Sequence, residues 1–265
     1  NTWERVWPAA TLRYMTGHRV GQTPLAPGTS FLQLARCAVA STASGASPIS
    51  ITDVAFTSML FLDSDTSSVT LGVRLEEGSG AVNIESLSSS KQWSGHAHMT
   101  VAQCPESMLS CARQCGPCIP EASGSLSGGD FYSATGNGYL GEFRSVESVW
   151  TTAGPSPETA GDTAQIVSKI SLQHAQSQGL SPGEYAQLRT VSWLDSCGQA
   201  GVMMDALHGG RPYAFAGLEE CHLDSRTTCT SAVMWGDLSG ANGGRYLDGH
   251  HRCACRMKGD NVVFL

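Results

Sequence analysis

The sequence predicts an α+β fold in two halves, each a curved antiparallel sheet wrapped around one buried helix. Three observations carry that expectation. An apolar helical stretch at 29–40 is followed by four strand-like segments, periodicity disappears across 104–129, and a second apolar helical stretch at 193–207 has strand-like segments on both sides. With 265 residues, 41% of them hydrophobic, the chain is long enough to bury a sizeable core.

Each element has a local cause. Pro27 keeps the chain before it out of a helix, and Thr29 or Ser30 is placed to cap the helix that follows. Phe31, Leu34, Ala35, Ala38 and Val39 recur at helical spacing, and Leu32 and Cys37 make this helix apolar nearly all round, as expected of one enclosed by protein. Strands are predicted at Ile49–Leu62, Ser67–Leu75, Ala81–Ser88 and Trp93–Val101; Val69, Leu71, Val73 and Leu75 alternate as a half-buried strand should. From Cys104 to Gly129 Cys, Pro, Gly and Ser crowd together, which reads as a linker. The expected halves are residues 1–108 and 129–265, with the linker at 109–128. The second half opens with a polar, Gly-rich entry at Phe131–Gly141. Strands at Arg144–Thr152 and Thr163–Leu172, a helix at Trp193–Leu207, and strands at Tyr213–Leu223, Thr227–Trp235 and Asn261–Leu265 follow. The halves repeat an architecture, not a sequence.

Composition removes several classes of function. A formal charge of -7 with only 15% charged residues offers no basic face for nucleic acid. No apolar run reaches the roughly 18 residues of a membrane helix, and no basic start with an apolar core marks a signal peptide, so a cytoplasmic location is expected. Beginning at Asn1, the sequence is compatible with a piece cut from a longer protein. Most of the ten cysteines are read as reduced thiols, Cys37 and Cys197 as members of apolar helices. "CARQCGPC" holds Cys111, Cys115 and Cys118 at the C-x3-C-x2-C spacing of radical iron–sulfur enzymes and also spells a thioredoxin-type C-G-P-C. Neither an α/β barrel nor a strand-to-helix setting accompanies it, so an ordinary link is the better reading. Zinc held with Cys104, or disulfides, stay open as alternatives. His96 and His98 alternate on a strand and could face one side as a metal pair, the plainer reading being a late strand of the first half. His250-His251, near Asp248, Cys253 and Cys255, reads as solvated loop, and Asp205 and His208 as surface.

Two residues stand out for chemistry. His18 sits in "GHRVGQTPLAPG", before two prolines and a helix start, where a rigid turn could hold an imidazole for proton transfer; the plainer reading is a histidine that closes a turn. Asp195 lies in an otherwise apolar helix flanked by Trp193, Leu194 and Cys197, where a carboxylate needs partners. Gln199, four residues on, shares its helical face and could supply one. The plainer reading of Asp195 alone is a carboxylate favoured by a helix N-terminus. A histidine from one half and an aspartate from the other make a usable acid–base pair if the two helices pack side by side.

"HRVGQTPLAPG", "FYSATGNGYLGEF" and "LDSCGQ" resemble, in order and rough spacing, the motifs of the dehydratase domains of polyketide synthases. His18 and Pro27 match H-x-x-x-G-x-x-x-x-P, with Gln22 in the glycine position and Gly21 one residue early. Tyr139 and Phe143 match Y-G-P-x-F, with Leu140-Gly141 in place of Gly-Pro. Asp195 and Gln199 match the aspartate followed four residues later by Gln or His. The resemblance implies a double hot-dog fold and elimination of water from a 3-hydroxyacyl thioester on the phosphopantetheine arm of an acyl carrier protein. It implies His18 as base, Asp195 as acid, Gln199 as orienting residue and Tyr139 as a further polar contact. Pro27 and Gly28 are expected beside the substrate, the glycine leaving room for a thioester carbonyl near the helix N-terminus. No metal or diffusible cofactor is implied. Other synthase domains and a second copy of the chain are the implied partners. An aldol cyclase like the product-template domains, a double-bond isomerase or ring-forming variant, and an inactive structural domain remain as alternatives.

Overall fold

The computed structural model describes the chain except residues 43–48, 64–66, 104–124, 152–163, 172–178, 208–216, 224–230, 239–251, 258–261 and 265, and at 151, at 164–167 and from residue 200 onward it gives the backbone path alone. The Cys104–Cys118 cluster, His208, His250, His251 and the Asp205 side chain lie outside the described residues.

The chain opens with strand β1 (Thr2–Pro8) and helix α1 (Ala9–Met15), followed by a hairpin of β2 (Arg19–Val20) and β3 (Thr23–Pro24) and by helix α2 (Gly28–Thr42). Strands β4 (Ile49–Phe56), β5 (Ser68–Leu75), β6 (Ala81–Leu87) and β7 (Trp93–Gln103) come next. Beyond 124 lie β8 (Ser125–Ser127), α3 (Gly128–Thr135), a 3-10 turn at Gly141–Phe143, β9 (Val146–Thr151) and β10 (Ala164–Ser171). Helix α4 (Pro182–Leu207) precedes β11 (Gly217–Leu223), β12 (Ser231–Leu238), β13 (Arg252–Met257) and β14 (Val262–Phe264). Among the described residues no helix is long and apolar enough to cross a membrane.

Two larger sheets, antiparallel throughout, carry these strands. One runs β1-β5-β6-β7-β4-β11-β14 and the other β13-β12-β10-β9-β8. Strand β11 pairs with β4, from Gly217 opposite Ala55 to Leu223 opposite Ile49, so the larger sheet is built from residues on both sides of 104–124. Helix α2 packs on β4, β5 and β7, helix α4 on β9, β10, β12 and β13, and the two helices pack on each other. The α2 residues Thr29 to Ala35 are all buried, as an apolar circumference requires. In α4 every residue from Val191 to Cys197 is buried, whereas Pro182 and Gly183 at its start are exposed.

Several boundaries differ from the sequence expectation. Helix α2 begins at Gly28, so Thr29 and Ser30 lie inside its first turn. Their hydroxyls donate to the carbonyls of Val191 (3.1 Å) and Pro27 (2.7 Å) instead of capping the helix. The strand expected to reach Leu62 ends at Phe56, because the chain then leaves the sheet to cover the loop after His18. The Ala26 and Leu62 amides donate to the Leu60 and Pro24 carbonyls, and Leu25 bridges Phe61. Helix α4 starts eleven residues before Trp193, at a Ser-Pro-Gly-Glu sequence. The Glu184 amide donates to Ser181 Oγ at 3.3 Å and the Ser181 amide to the Glu184 carboxylate at 3.1 Å, a capping box with proline in the first helical position. The Gly-rich entry at Phe131–Gly141 is in part helix α3, whose N-cap Ser127 accepts the Asp130 amide.

Candidate active site

His18 is held by the hairpin before α2. Gly21 and Gln22 form its two-residue turn, with Gly21 at φ 60. That is the turn type whose first central residue must tolerate positive φ, so a glycine at 21 suffices and Gln22 occupies a position that demands none. His18 is 7% exposed, and its Nδ1 lies 2.9 Å from the Leu25 carbonyl. A carbonyl only accepts, so Nδ1 carries the hydrogen and Nε2 keeps a free lone pair. The rings of Tyr139 and Phe143 meet the imidazole edge-on, with centroids at 5.5 and 5.7 Å.

Opposite Nε2, at 3.4 Å, lies Oδ1 of Asp195. Asp195 is 5% exposed. Burial raises its pKa above the usual carboxylate value, and the nearby His18 and the Gln199 hydrogen bond oppose that shift. Gln199 Nε2 donates to Asp195 Oδ2 at 2.7 Å and to the Phe143 carbonyl at 2.9 Å. The Tyr132 hydroxyl donates to Gln199 Oε1 at 2.8 Å while accepting the Val146 amide at 3.1 Å. A chain of hydrogen bonds thus runs from a backbone N–H through Tyr132 and Gln199 to Oδ2, leaving Oδ1 as the oxygen available for a proton.

The structure brings His18, Asp195, Gln199 and Tyr139 together. Tyr139 is buried against His18 through its ring edge, and burial, with Asp195 and Tyr132 nearby, pushes its hydroxyl pKa well above the ordinary value. Tyr132 is the residue sequence reasoning missed: its hydroxyl, not that of Tyr139, holds Gln199. Pro27 precedes α2 and its carbonyl accepts the Ser30 amide at 2.9 Å. Gly28 has a different surrounding from the expected one. A Cβ there would lie 2.7–3.1 Å from ring atoms of Phe56, so the space expected for a substrate carbonyl on that side is filled by this ring.

The His96–His98 pair does not form. The β6–β7 register shifts between Ile84 and Glu85, so β7 bulges and His96 turns inward while His98 stays exposed. His96 stacks on Phe31 with centroids at 5.8 Å and lies 2.7 Å from Ser86 Oγ and 3.0 Å from Ser58 Oγ. Among the described residues no group of three or more His, Cys, Asp or Glu side chains is placed to hold a metal ion. An apolar cavity of about 270 Å³ lies between β1, α1, α2 and α4, walled by Trp3, Trp7, Met15, Leu34, Ala38 and Val191 among others.

Comparison with known proteins adds the following. Residues 1–89 match the family model described as polyketide synthase dehydratase domain. A search of curated proteins gives no match. Among solved structures, GphF Dehydratase 1 superimposes with a TM-score of 0.69 at 18% identity, over 99% of this chain and 89% of that one. The dehydratase domain from the CurF module of curacin polyketide synthase gives 0.68 at 16% identity, over 99% and 89%. The corresponding CurK domain gives 0.68 at 17% identity, over 99% and 88%. Residues 1–89 are thus similar in sequence to polyketide synthase dehydratase domains, and the chain as a whole has the double hot-dog fold of those domains.

Proposed function

We propose that the chain removes water from a 3-hydroxyacyl thioester to give a 2,3-enoyl thioester, the acyl group being presented on the phosphopantetheine arm of an acyl carrier protein. The observation that carries this reading is the buried pair of His18 Nε2 and Asp195 Oδ1, 3.4 Å apart with complementary capacities. His18 Nε2 takes the α-proton, and the electrons of that C–H bond form the new double bond. The C–O bond at carbon 3 breaks, and Asp195, protonated on Oδ1, gives its proton to the leaving hydroxyl, which departs as water. His18 then holds one proton more and Asp195 one fewer, and return of a proton from Nε2 to Oδ1 restores the starting state. The step balances on these two side chains with no metal or diffusible cofactor. Burial supports the acid role, because a carboxyl must stay protonated to donate. Two related structures are described as inactive CurK dehydratase mutants, one replacing a histidine by phenylalanine and one an aspartate by asparagine. His18 and Asp195 are the proposed counterparts.

The apolar cavity is the proposed berth of the acyl chain. Met15 is three residues before His18, and Val191 is one helical turn before Asp195 on the same face of α4. Ala38→Phe should then lower kcat/KM for long acyl chains about tenfold while sparing short ones, measured across a chain-length series. The carrier protein, other synthase domains and a second copy of this chain are the proposed partners; the last is tested by the mass of the chain in solution.

A second reading has one observation behind it. A related structure is described as an isomerase-inactive variant of GphF DH1, and one base with one acid can also shift a double bond. Incubation with a 3-hydroxyacyl pantetheine thioester decides. Appearance of the 2,3-enoyl product supports dehydration. Inertness toward that substrate, with conversion of a 2-enoyl to a 3-enoyl thioester, supports isomerisation instead.

A further inference from the structure

Glu142 is a carboxylate that the proposed reaction does not use, and at 2% exposure it is buried more deeply than either reacting residue. It occupies the variable position before Phe143 in the second motif. The Tyr14 hydroxyl of α1 donates to its Oε2 at 2.6 Å, and the Tyr185 hydroxyl of α4 donates to its Oε1 at 2.5 Å. Two more α4 side chains approach Oε2: Arg189 Nε at 3.6 Å and Ser192 Oγ at 3.5 Å, the latter also 2.8 Å from the Tyr14 hydroxyl. A buried carboxylate survives only where it is paired and hydrogen-bonded, and these four partners come from two helices that flank the turn. Burial and the neighbouring carboxylate hold the Tyr14 pKa far above its ordinary value, so its hydroxyl remains a donor.

The next residue, Phe143, meets both His18 and Gln199, the residue that holds Asp195. Its carbonyl accepts from Gln199 Nε2 at 2.9 Å, and its ring lies edge-on to His18 at 5.7 Å. Tyr14, bound to Glu142, packs edge-on against the same ring at 5.7 Å. The Gly-Pro of the motif, which would stiffen this turn through a fixed φ, is absent here.

We propose that Glu142 is a positioning residue: its buried cluster with Tyr14, Tyr185, Ser192 and Arg189 locks the Gly141–Phe143 turn, and Phe143 transmits that position to His18 and Gln199. The activity arm of the test rests on the dehydration reading; the spectroscopic arm does not.

Glu142→Gln preserves size and one acceptor but turns an amide N–H toward a donor. The expected result is a kcat lowered about 10–100-fold with KM within about twofold of wild type, as for a misplaced catalytic group. The His18 ring ¹H and ¹⁵N resonances of the substrate-free protein should move, because the Phe143 ring packs edge-on against the imidazole. A folded Glu142→Gln variant with wild-type kcat and unmoved His18 resonances overturns the proposal. If that variant does not fold, Tyr14→Phe and Tyr185→Phe decide: lowered kcat at unchanged KM with the same resonance shift supports it, and wild-type values for both variants overturn it. If the wild-type chain shows no dehydration, that reading alone fails, and the His18 resonances still decide the role of Glu142.

Discussion

Gln199 has two amide hydrogens and uses both, one on Asp195 and one on the Phe143 carbonyl, while its oxygen accepts from Tyr132. The flanking groups fix this orientation, since a carbonyl cannot donate and the Tyr132 oxygen already accepts the Val146 amide. Tyr132→Phe should therefore cost about 1–3 kcal/mol of stability, because the Val146 N–H loses its partner. It should also lower turnover by freeing the Gln199 amide; denaturant titration and steady-state kinetics read the two effects separately. Asp195 and Gln199 were legible in the sequence because two polar residues at i, i+4 interrupt an otherwise apolar helix. Tyr132 was not, because its partner is 67 positions away and its own segment shows no periodicity. Glu142 gave no signal for a related reason: a charged residue in a turn normally points to water, and only the packing of α1 and α4 over it makes it buried.

At the scale of elements, apolar periodicity located α2, β5, β6 and β7 closely and polar segments badly. The start of α4 was missed because Pro182–Arg189 is polar and partly exposed, although Ser181-Pro182-Gly183-Glu184 is a capping sequence. Ser181→Ala should cost about 1 kcal/mol, measured by denaturant unfolding, with Glu184 losing the bond that lowers its pKa. Helix α3 was hidden by Gly128-Gly129, poor helix formers in its first turn. The bulge that turns His96 inward cannot be read from alternation, since strict alternation is what a bulge breaks. The loop carrying His18 meets the turn before Phe143 through close backbone approach. A Cβ on Gly17 would lie 2.7 Å from the Leu140 carbonyl oxygen, and the Leu140 amide donates to the Gly17 carbonyl at 2.8 Å. Gly17→Ala is expected to push these segments apart, lowering both the melting temperature and turnover.

Across the whole molecule, two sheets and two packed helices bring together residues 177 positions apart, from His18 to Asp195, in one buried seam. Burying ionisable groups there leaves a mark on stability against pH. For Asp195 the folded pKa is raised, so above the ordinary carboxylate value near 4 the folded state keeps a proton that the unfolded state has lost. Stability therefore falls as pH rises through that window, and Asp195→Asn should raise the melting temperature at neutral pH and flatten this limb. Burial lowers the His96 pKa, against the opposing effect of the hydrogen bond that its Nδ1 donates to the Ser58 carbonyl. Below about 6.5 the unfolded chain takes up a proton that the folded chain refuses, so stability falls as pH drops, and His96→Gln should flatten that limb. Melting temperatures of the two variants across pH separate the opposed slopes.

The most direct test of the acid–base pair is kcat for conversion of a 3-hydroxyacyl pantetheine thioester to its enoyl product by wild type, His18→Ala, Asp195→Asn and the double variant. Two groups acting in one concerted step should each cost about 10²–10⁴-fold alone, with the double variant no worse than the poorer single. Near-wild-type turnover by either single variant, or losses that multiply in the double, would contradict it.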